Sequence, residues 1–342
     1  MKYSVLGKTG MRVSQICLGT ATFGVAPVAQ EVDRIVGAAV DLGINFVDTA
    51  DVYGNMPVFD RPGAPAAAER EPAERLLGRA LRGRRDRMVV STKSNGIVGH
   101  DVNDRGLSRR HIVRQVESSL RRLETDYIDV YYAHDPDPDT PLEQTLAAYD
   151  DLIRQGKIRY VGLSNHPAWQ VVQSLWIADD LRLQGPVVAQ VKYNLIDRAA
   201  ERELTPACVR FGLSIVPYAP LHGGLLADLA VLDRDVSGDQ RFGGAGFPAP
   251  EIAIAREVDR LSRTWGLTSN QVSLAWLLSR PAVASAIVGA ETVDELLANA
   301  TGGDIELEPT QLDELTGLAA ESVPFPHRAG AGPEQLGAGG VS

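Results

Sequence analysis

The chain has 342 residues, 34 of them Lys or Arg and 44 Asp or Glu, for a formal net charge of −10, with 44% apolar and 23% charged residues. That balance excludes collagen-like, coiled-coil and disordered classes, and the acidic surplus argues against a nucleic-acid partner. No apolar run is long enough for a membrane span, the first residues lack a secretory signal, and two cysteines, Cys17 and Cys208, make no disulfide framework, so a cytoplasmic location with no membrane partner is expected.

Residues 2–14 read as a small hairpin turning at 7–10. Val- and Ile-rich runs follow at 15–18, 44–47, 88–91, 128–133, 158–163, 187–191, 213–216 and 283–288. They are nearly continuous rather than alternating, which is how strands buried on both faces read. Helix-like stretches lie at 31–42, 73–82, 108–123, 141–155, 167–178, 199–210, 250–264 and 292–300. Ser108 marks the start of the third, Gly43 follows the first, and Pro141 takes the first helical position of the fourth. Eight strands alternating with helices predict a parallel βα series. The expected fold class is α/β, a (β/α)8 TIM barrel with an N-terminal hairpin and long βα loops; an open doubly wound sheet is the alternative.

The expected domain spans 1–324, followed by a mobile Gly/Ala/Pro-rich tail at 325–342. A Pro/Ala/Gly-rich insertion occupies 54–72 and a long Gly-containing loop 222–250. Gly7-Lys8-Thr9 reads as a turn rather than a phosphate loop, because the motif's first glycine would fall at Lys2, before which no strand can stand. The Arg-rich stretches 79–87 and 105–122 read as solvated helix faces. The six histidines show no metal-ligand spacing, so no metal is expected.

In a barrel of this kind the chemistry sits where strands end. The strand ends carry Gly19-Thr20, then Asp48 with Tyr53 beyond it, Lys93, His134-Asp135, Ser164-Asn165, Gln190, Tyr218, and Gly289-Ala290. Singly, each has an ordinary structural explanation. Together they suggest one chemistry. A Tyr hydroxyl is a poor acid at neutral pH, and an adjacent ammonium lowers its pKa by stabilising the phenolate. Asp48 would hold the Lys93 ammonium, His134 would orient a carbonyl oxygen, and Tyr53 would protonate that oxygen as it gains charge.

At these residues the sequence resembles the aldo-keto reductase superfamily. The matching stretches are Asn45-Phe46-Val47-Asp48-Thr49-Ala50-Asp51-Val52-Tyr53-Gly54, Ser91-Thr92-Lys93, and Thr125-Asp126-Tyr127-Ile128-Asp129-Val130 leading to His134. To these add Gly156-Lys157-Ile158-Arg159-Tyr160-Val161-Gly162-Leu163-Ser164-Asn165 and Val216-Pro217-Tyr218-Ala219-Pro220-Leu221. The resemblance covers roughly 1–320 and implies the catalytic tetrad Asp48, Tyr53, Lys93 and His134. It further implies a nicotinamide cofactor bound without a Rossmann fold. Ser164, Asn165 and Gln190 would hold the carboxamide and Tyr218 would stack on the ring. Gly19 and Thr20 count with the cofactor residues, as do Ala219, Pro220, Leu221, Gly223 and Leu225 along the pyrophosphate. Gly289, Glu291, Thr292, Glu295 and Asn299 would surround the adenosine end.

The implied reaction is hydride transfer between NAD(P)(H) and an aldehyde, ketone or sugar. Glu291 and Glu295 stand where many relatives carry cations for a 2′-phosphate, which pulls toward NAD(H). NADP(H) nevertheless stays favoured, with main-chain amides or Thr292 as phosphate partners. The expected partner is a small carbonyl or sugar, with the chain a monomer or homo-oligomer. Two rival functions remain: a Schiff-base lyase or aldolase acting through Lys93, and a non-catalytic cofactor-sensing subunit of an ion channel.

Overall fold

The computed structural model describes residues 1–60, 63–233 and 246–319. The expected tail at 325–342 and part of the 222–250 loop lie outside these. Strands β1 (Tyr3–Val5) and β2 (Arg12–Ser14) form the antiparallel hairpin. The repeat then runs β3 (Ile16–Gly19), α1 (Val32–Asp41), β4 (Phe46–Asp48), α2 (Ala73–Ala80), β5 (Val89–Ser94), α3 (Arg109–Leu123), β6 (Ile128–Ala133) and α4 (Leu142–Arg154). It continues with β7 (Ile158–Ser164), α5 (Ala168–Leu181), β8 (Pro186–Gln190), α6 (Leu204–Phe211), β9 (Ser214–Ile215), α7 (Ala249–Thr264), α8 (Ser269–Leu278), β10 (Ala286–Val288), α9 (Val293–Gly302) and α10 (Pro309–Thr316).

Eight parallel strands pair in the order β10-β3-β4-β5-β6-β7-β8-β9. The sheet closes on itself between its two ends. Ile215 N donates to Ala282 O at 2.7 Å, Ala284 N to Ile215 O at 2.9 Å, and Ile287 N to Pro217 O at 2.9 Å. The result is the (β/α)8 barrel. Among the described residues, no helix is long and apolar enough to cross a membrane.

Two apolar layers explain why the strand sequences do not alternate. Cys17, Phe46, Val130, Tyr132, Val188, Val216 and Ile287 fill the barrel interior. Their chain neighbours, among them Ile16, Leu18, Val47, Tyr131, Ala189 and Ile215, face the helices. Successive strand residues point to opposite faces, and here both faces are buried. The Tyr132 ring fits because its neighbour is Gly162, where a Cβ would lie 2.2 Å from the ring. Leu6 and Val13 of the hairpin are fully buried against the interior cluster, and Gly7 N donates to Ser214 Oγ at 2.7 Å, so the hairpin stoppers the end of the barrel where the strands begin.

The helices follow their apolar periods. In α1, Val32, Ile35, Val36, Ala39 and Val40 form the buried stripe. Ser108 caps α3 by accepting from His111 N, and α3 ends at Glu124 in the left-handed region. Some sequence readings are corrected. Pro141 caps α4 rather than occupying its first turn, and a short 3-10 turn at Ala199–Glu201 replaces the start expected for α6. Helix α8 lies between the expected elements at 250–264 and 283–288, and α10 beyond the last of them at 292–300. The Arg-rich stretches are not wholly solvated. Arg85 reaches Thr125 Oγ1, Met88 O, Tyr127 O and Asp129 Oδ2, and Arg122 Nε reaches the buried Glu74 carboxylate at 2.5 Å. Buried acceptors draw these two guanidinium forks inward.

Candidate active site

The alternation that puts Phe46 and Val188 inside the barrel puts Asp48 and Gln190 inside two residues later, at the strands' C-terminal ends. Ser91 and Lys93 of β5, Ser164 of β7, and His134 two residues beyond Tyr132 follow the same parity. The top layer of the barrel is therefore polar above an apolar floor.

Asp48 and Lys93 form the centre. Lys93 Nζ lies 2.5 Å from Asp48 Oδ2, donates to Thr49 O at 2.7 Å and sits 3.4 Å from Tyr53 Oη. Asp48 Oδ1 accepts from Ser91 Oγ at 2.7 Å and from Gln190 Nε2 at 2.9 Å. The Tyr53 and His134 rings meet edge to face, with centroids 5.8 Å apart. The four expected side chains thus share one cluster.

Their proton affinities differ in instructive ways. Burial alone would lower Lys93, but the Asp48 and Tyr53 neighbours outweigh it and leave the ammonium raised above its ordinary value. Tyr53 moves opposite to the sequence expectation. Burial lifts the phenol, and Asp48 adds to that; Lys93 pulls downward without reversing it. The resting phenol therefore keeps its proton. Burial, and then the Lys93 charge, pull His134 down to about 3, so its imidazole is neutral at neutral pH and offers a ring N–H donor.

The expected cofactor residues divide by what already engages them. Ser164 Oγ is buried with no hydrogen-bond partner among the described residues. Asn165 donates to His134 O and to Asp135 Oδ1, and accepts from Tyr218 Oη at 3.0 Å. Gln190 spends its amide on Asp48. Thr20 holds the end of β4, its N and Oγ1 both reaching Asp48 O at 3.0 Å. Gly19 is required by packing, since a Cβ there would lie 2.8 Å from Ile287. Leu225 and Pro220 are buried, and Leu221 packs on the core, so these offer only main chain to a ligand. Ala219, His222, Gly223 and Gly224 all have positive φ. Two non-glycine residues held there store strain, and turns of this hand can aim successive amides into an anion-binding concavity.

At the N-terminus of α9, Thr292 Oγ1 accepts from Glu295 N, and the Glu295 carboxylate accepts from Glu291 N at 2.8 Å. Asn299 Nδ2 donates to Gly289 O at 3.3 Å while its Oδ1 accepts from Asn270. Of the large side chains that follow β3, β7 and β9, Phe23 is core, Trp169 is exposed on α5, and His222 is tied to Glu251 at 2.8 Å. Ser91 was missed, although its i−2 relation to Lys93 places it on the same face.

The chain matches the Aldo/keto reductase family over residues 15–320. It belongs to the aldo-keto reductase family and is an oxidoreductase of that family. It is 35% identical to "Uncharacterized oxidoreductase YrpG" of Bacillus subtilis (strain 168), covering 98% of this chain and 99% of that one. It is 34% identical to a "Probable voltage-gated potassium channel subunit beta" of Oryza sativa subsp. japonica, over 92% of this chain and 95% of the other. To "Aldo-keto reductase AMT2" of Alternaria alternata it is 33% identical, over 86% and 85%.

Proposed function

We propose that this protein interconverts an aldehyde, ketone or sugar carbonyl and the corresponding alcohol, with Tyr53 as the acid/base. The observation that carries this reading is the Lys93 ammonium shared between Asp48 Oδ2 and Tyr53 Oη. A nicotinamide dinucleotide, when bound, would supply or accept the hydride. Neutral His134 donates a hydrogen bond that orients the substrate oxygen. Tyr53 gives its proton to that oxygen as negative charge develops. The phenolate left behind faces Lys93, whose charge Asp48 keeps in place, and recovers its proton from water.

The described residues fit such a cofactor at one end and restrict it at the other. Ser164 Oγ supplies an unused buried hydroxyl for a carboxamide, and the positive-φ turn at 219–224, whose His222 and Gly224 amides already bond to Ala219 O and Leu221 O, has the Leu221 and Gly223 amides to offer a pyrophosphate. The resemblance favours NADP(H), with Thr292 and main-chain amides as phosphate partners. Here the Glu291 amide is taken by the Glu295 carboxylate, which brings a negative charge to the place, while Thr292 Oγ1 accepts from Glu295 N and keeps its O–H. This supports NAD(H) over NADP(H), because a 2′-phosphate would have to displace the Glu295 carboxylate from the Glu291 amide.

Lys93 as a Schiff-base nucleophile would need a free amine, whereas this ammonium is paired and its pKa raised. The relatives named as probable channel subunits keep the non-catalytic reading in view; the clustered tetrad favours turnover. Steady-state oxidation of NADH and NADPH with a panel of aldehydes, ketones and sugars tests the proposal. Turnover of at least one carbonyl, faster with NADH, is expected. Tight dinucleotide binding without turnover of any carbonyl would replace it with the sensing role.

A further inference from the structure

Residues 54–60 leave directly after Tyr53, and 63–72 return to the place they left. Ala73 N donates to Tyr53 O at 2.8 Å. Gly54 has φ +94°, and a Cβ on it would lie 2.6 Å from both Ala73 N and Glu71 O, so the neck of this loop is backbone pressed on backbone. Such a closed segment needs something to fill its middle. The filler is Arg70, whose side chain is only 1% exposed. Its Nε donates to Gly54 O at 2.6 Å, its two terminal nitrogens to Met56 O at 2.8 Å and Pro65 O at 2.7 Å, and it pairs with Asp60 Oδ1 at 2.7 Å.

One guanidinium therefore collects three carbonyls and a carboxylate from both limbs of the loop. Buried carbonyls of a loop have no ladder partners, and a planar five-donor fork is the side chain that can meet several at once. Next to the neck, Glu71 is itself held by Arg79 through two contacts of 2.6 and 2.8 Å. The loop is thus held from within, and it begins directly after Tyr53, beyond the C-terminal end of β4.

We propose that Arg70 is a specificity-determining positioning residue: by clamping Gly54, Met56 and Asp60 to Pro65, it fixes a wall of the carbonyl-binding pocket beside Tyr53. This rests on the catalytic reading above. The clamp touches neither the tetrad side chains nor the groups assigned to the dinucleotide, so its effect falls on carbonyl recognition. A pre-set wall contributes to substrate and transition-state binding alike, which appears in KM rather than kcat.

The test compares wild type with Arg70→Lys and Arg70→Met. It reads kcat and KM across the carbonyl panel, NADH affinity by fluorescence, and limited proteolysis. The expected result is KM raised about tenfold, kcat changed less than about threefold, NADH Kd within about twofold, and an altered order of preferred carbonyls. Cleavage within 54–72 should appear in the variants alone. Asp60→Asn removes the charge of the half-exposed partner and leaves the carbonyl bonds; it should raise KM about two- to threefold, and it serves if the Arg70 variants do not fold. Variants cleaved in the loop but unchanged in KM and preference order would overturn the proposal, as would NADH Kd rising in step with KM. A wild type that turns over no carbonyl overturns both this inference and the reading beneath it.

Discussion

Lys93 and Asp48 form an ion pair shut away from water, their side chains 0% and 3% exposed and Nζ only 2.5 Å from Oδ2. Breaking a buried pair from one side strands a charge, at a cost of about 3–5 kcal/mol, whereas removing both charges is much cheaper. Lys93→Met and Asp48→Asn should each lower the stability measured by urea unfolding by about that amount, and the double variant should recover at least about half of the loss. Additive losses would show that the two charges are not coupled.

Tyr53→Phe removes one oxygen whose contact in the resting protein is a long 3.4 Å approach to Lys93. Stability should therefore change little. kcat should fall about 10²- to 10⁴-fold, while NADH affinity stays within about twofold. A variant turning over at the wild-type rate would remove the phenol from the chemistry.

His134 is held to about 3 in the fold, against an ordinary value near 6.5. The unfolded chain takes up this proton first as pH falls. The neutral imidazole's contribution to stability is thus complete above about pH 6.5 and declines on acidification toward pH 3. Two readouts follow. The pH profile of kcat/KM should show no histidine inflection between about pH 5 and 8, and His134→Gln should reduce the acid loss of stability.

Asp51 presents the opposite sign. Both of its carboxyl oxygens are buried without a hydrogen-bond partner among the described residues, and its amide donates to Lys93 O at 3.2 Å. Burial, with Glu74 adding, raises its pKa well above the ordinary carboxylate value despite Arg122 and Lys93. The fold therefore prefers the protonated acid. Stability falls as pH rises from about 4 through the raised value. Asp51→Asn, a neutral isostere, should melt at higher temperature than wild type at pH 8, with the gap closing toward pH 4. Equal melting curves across that range would mean that Asp51 is ionised at no cost.

Glu295 occupies the amide of Glu291 with its own carboxylate. Glu295→Gln should tighten NADPH about tenfold or more while shifting NADH less than about threefold, as read by fluorescence titration. Tight NADPH binding by the wild type would contradict the assignment.

Much of this molecule was legible before its coordinates. The eight barrel strands carried nearly continuous apolar runs because both faces are covered, and the tetrad stood at their ends. What escaped has physical reasons. Helix α8 buries Val272, Leu274, Trp276 and Leu277 on several sides, so its sequence lacks the one-sided period that marks a surface helix. Its start signal, the Thr268–Gln271 capping box, was present but unread. Arg70 lay hidden in a Pro- and Ala-rich stretch, where nothing local reveals that four acceptors from 54–65 close around it. The direction of the Tyr53 shift depended on burial, which no motif encodes. The inward turns of Arg85 and Arg122 required knowing where Asp129 and Glu74 would stand.

The hairpin seal made by Leu6 and Val13 bears on kinetics. Under the proposed function, dinucleotide and carbonyl would share the single doorway at the other end, and whichever sits deeper would arrive first and depart last. A compulsory-order rate law would be the natural outcome of that dead-end geometry.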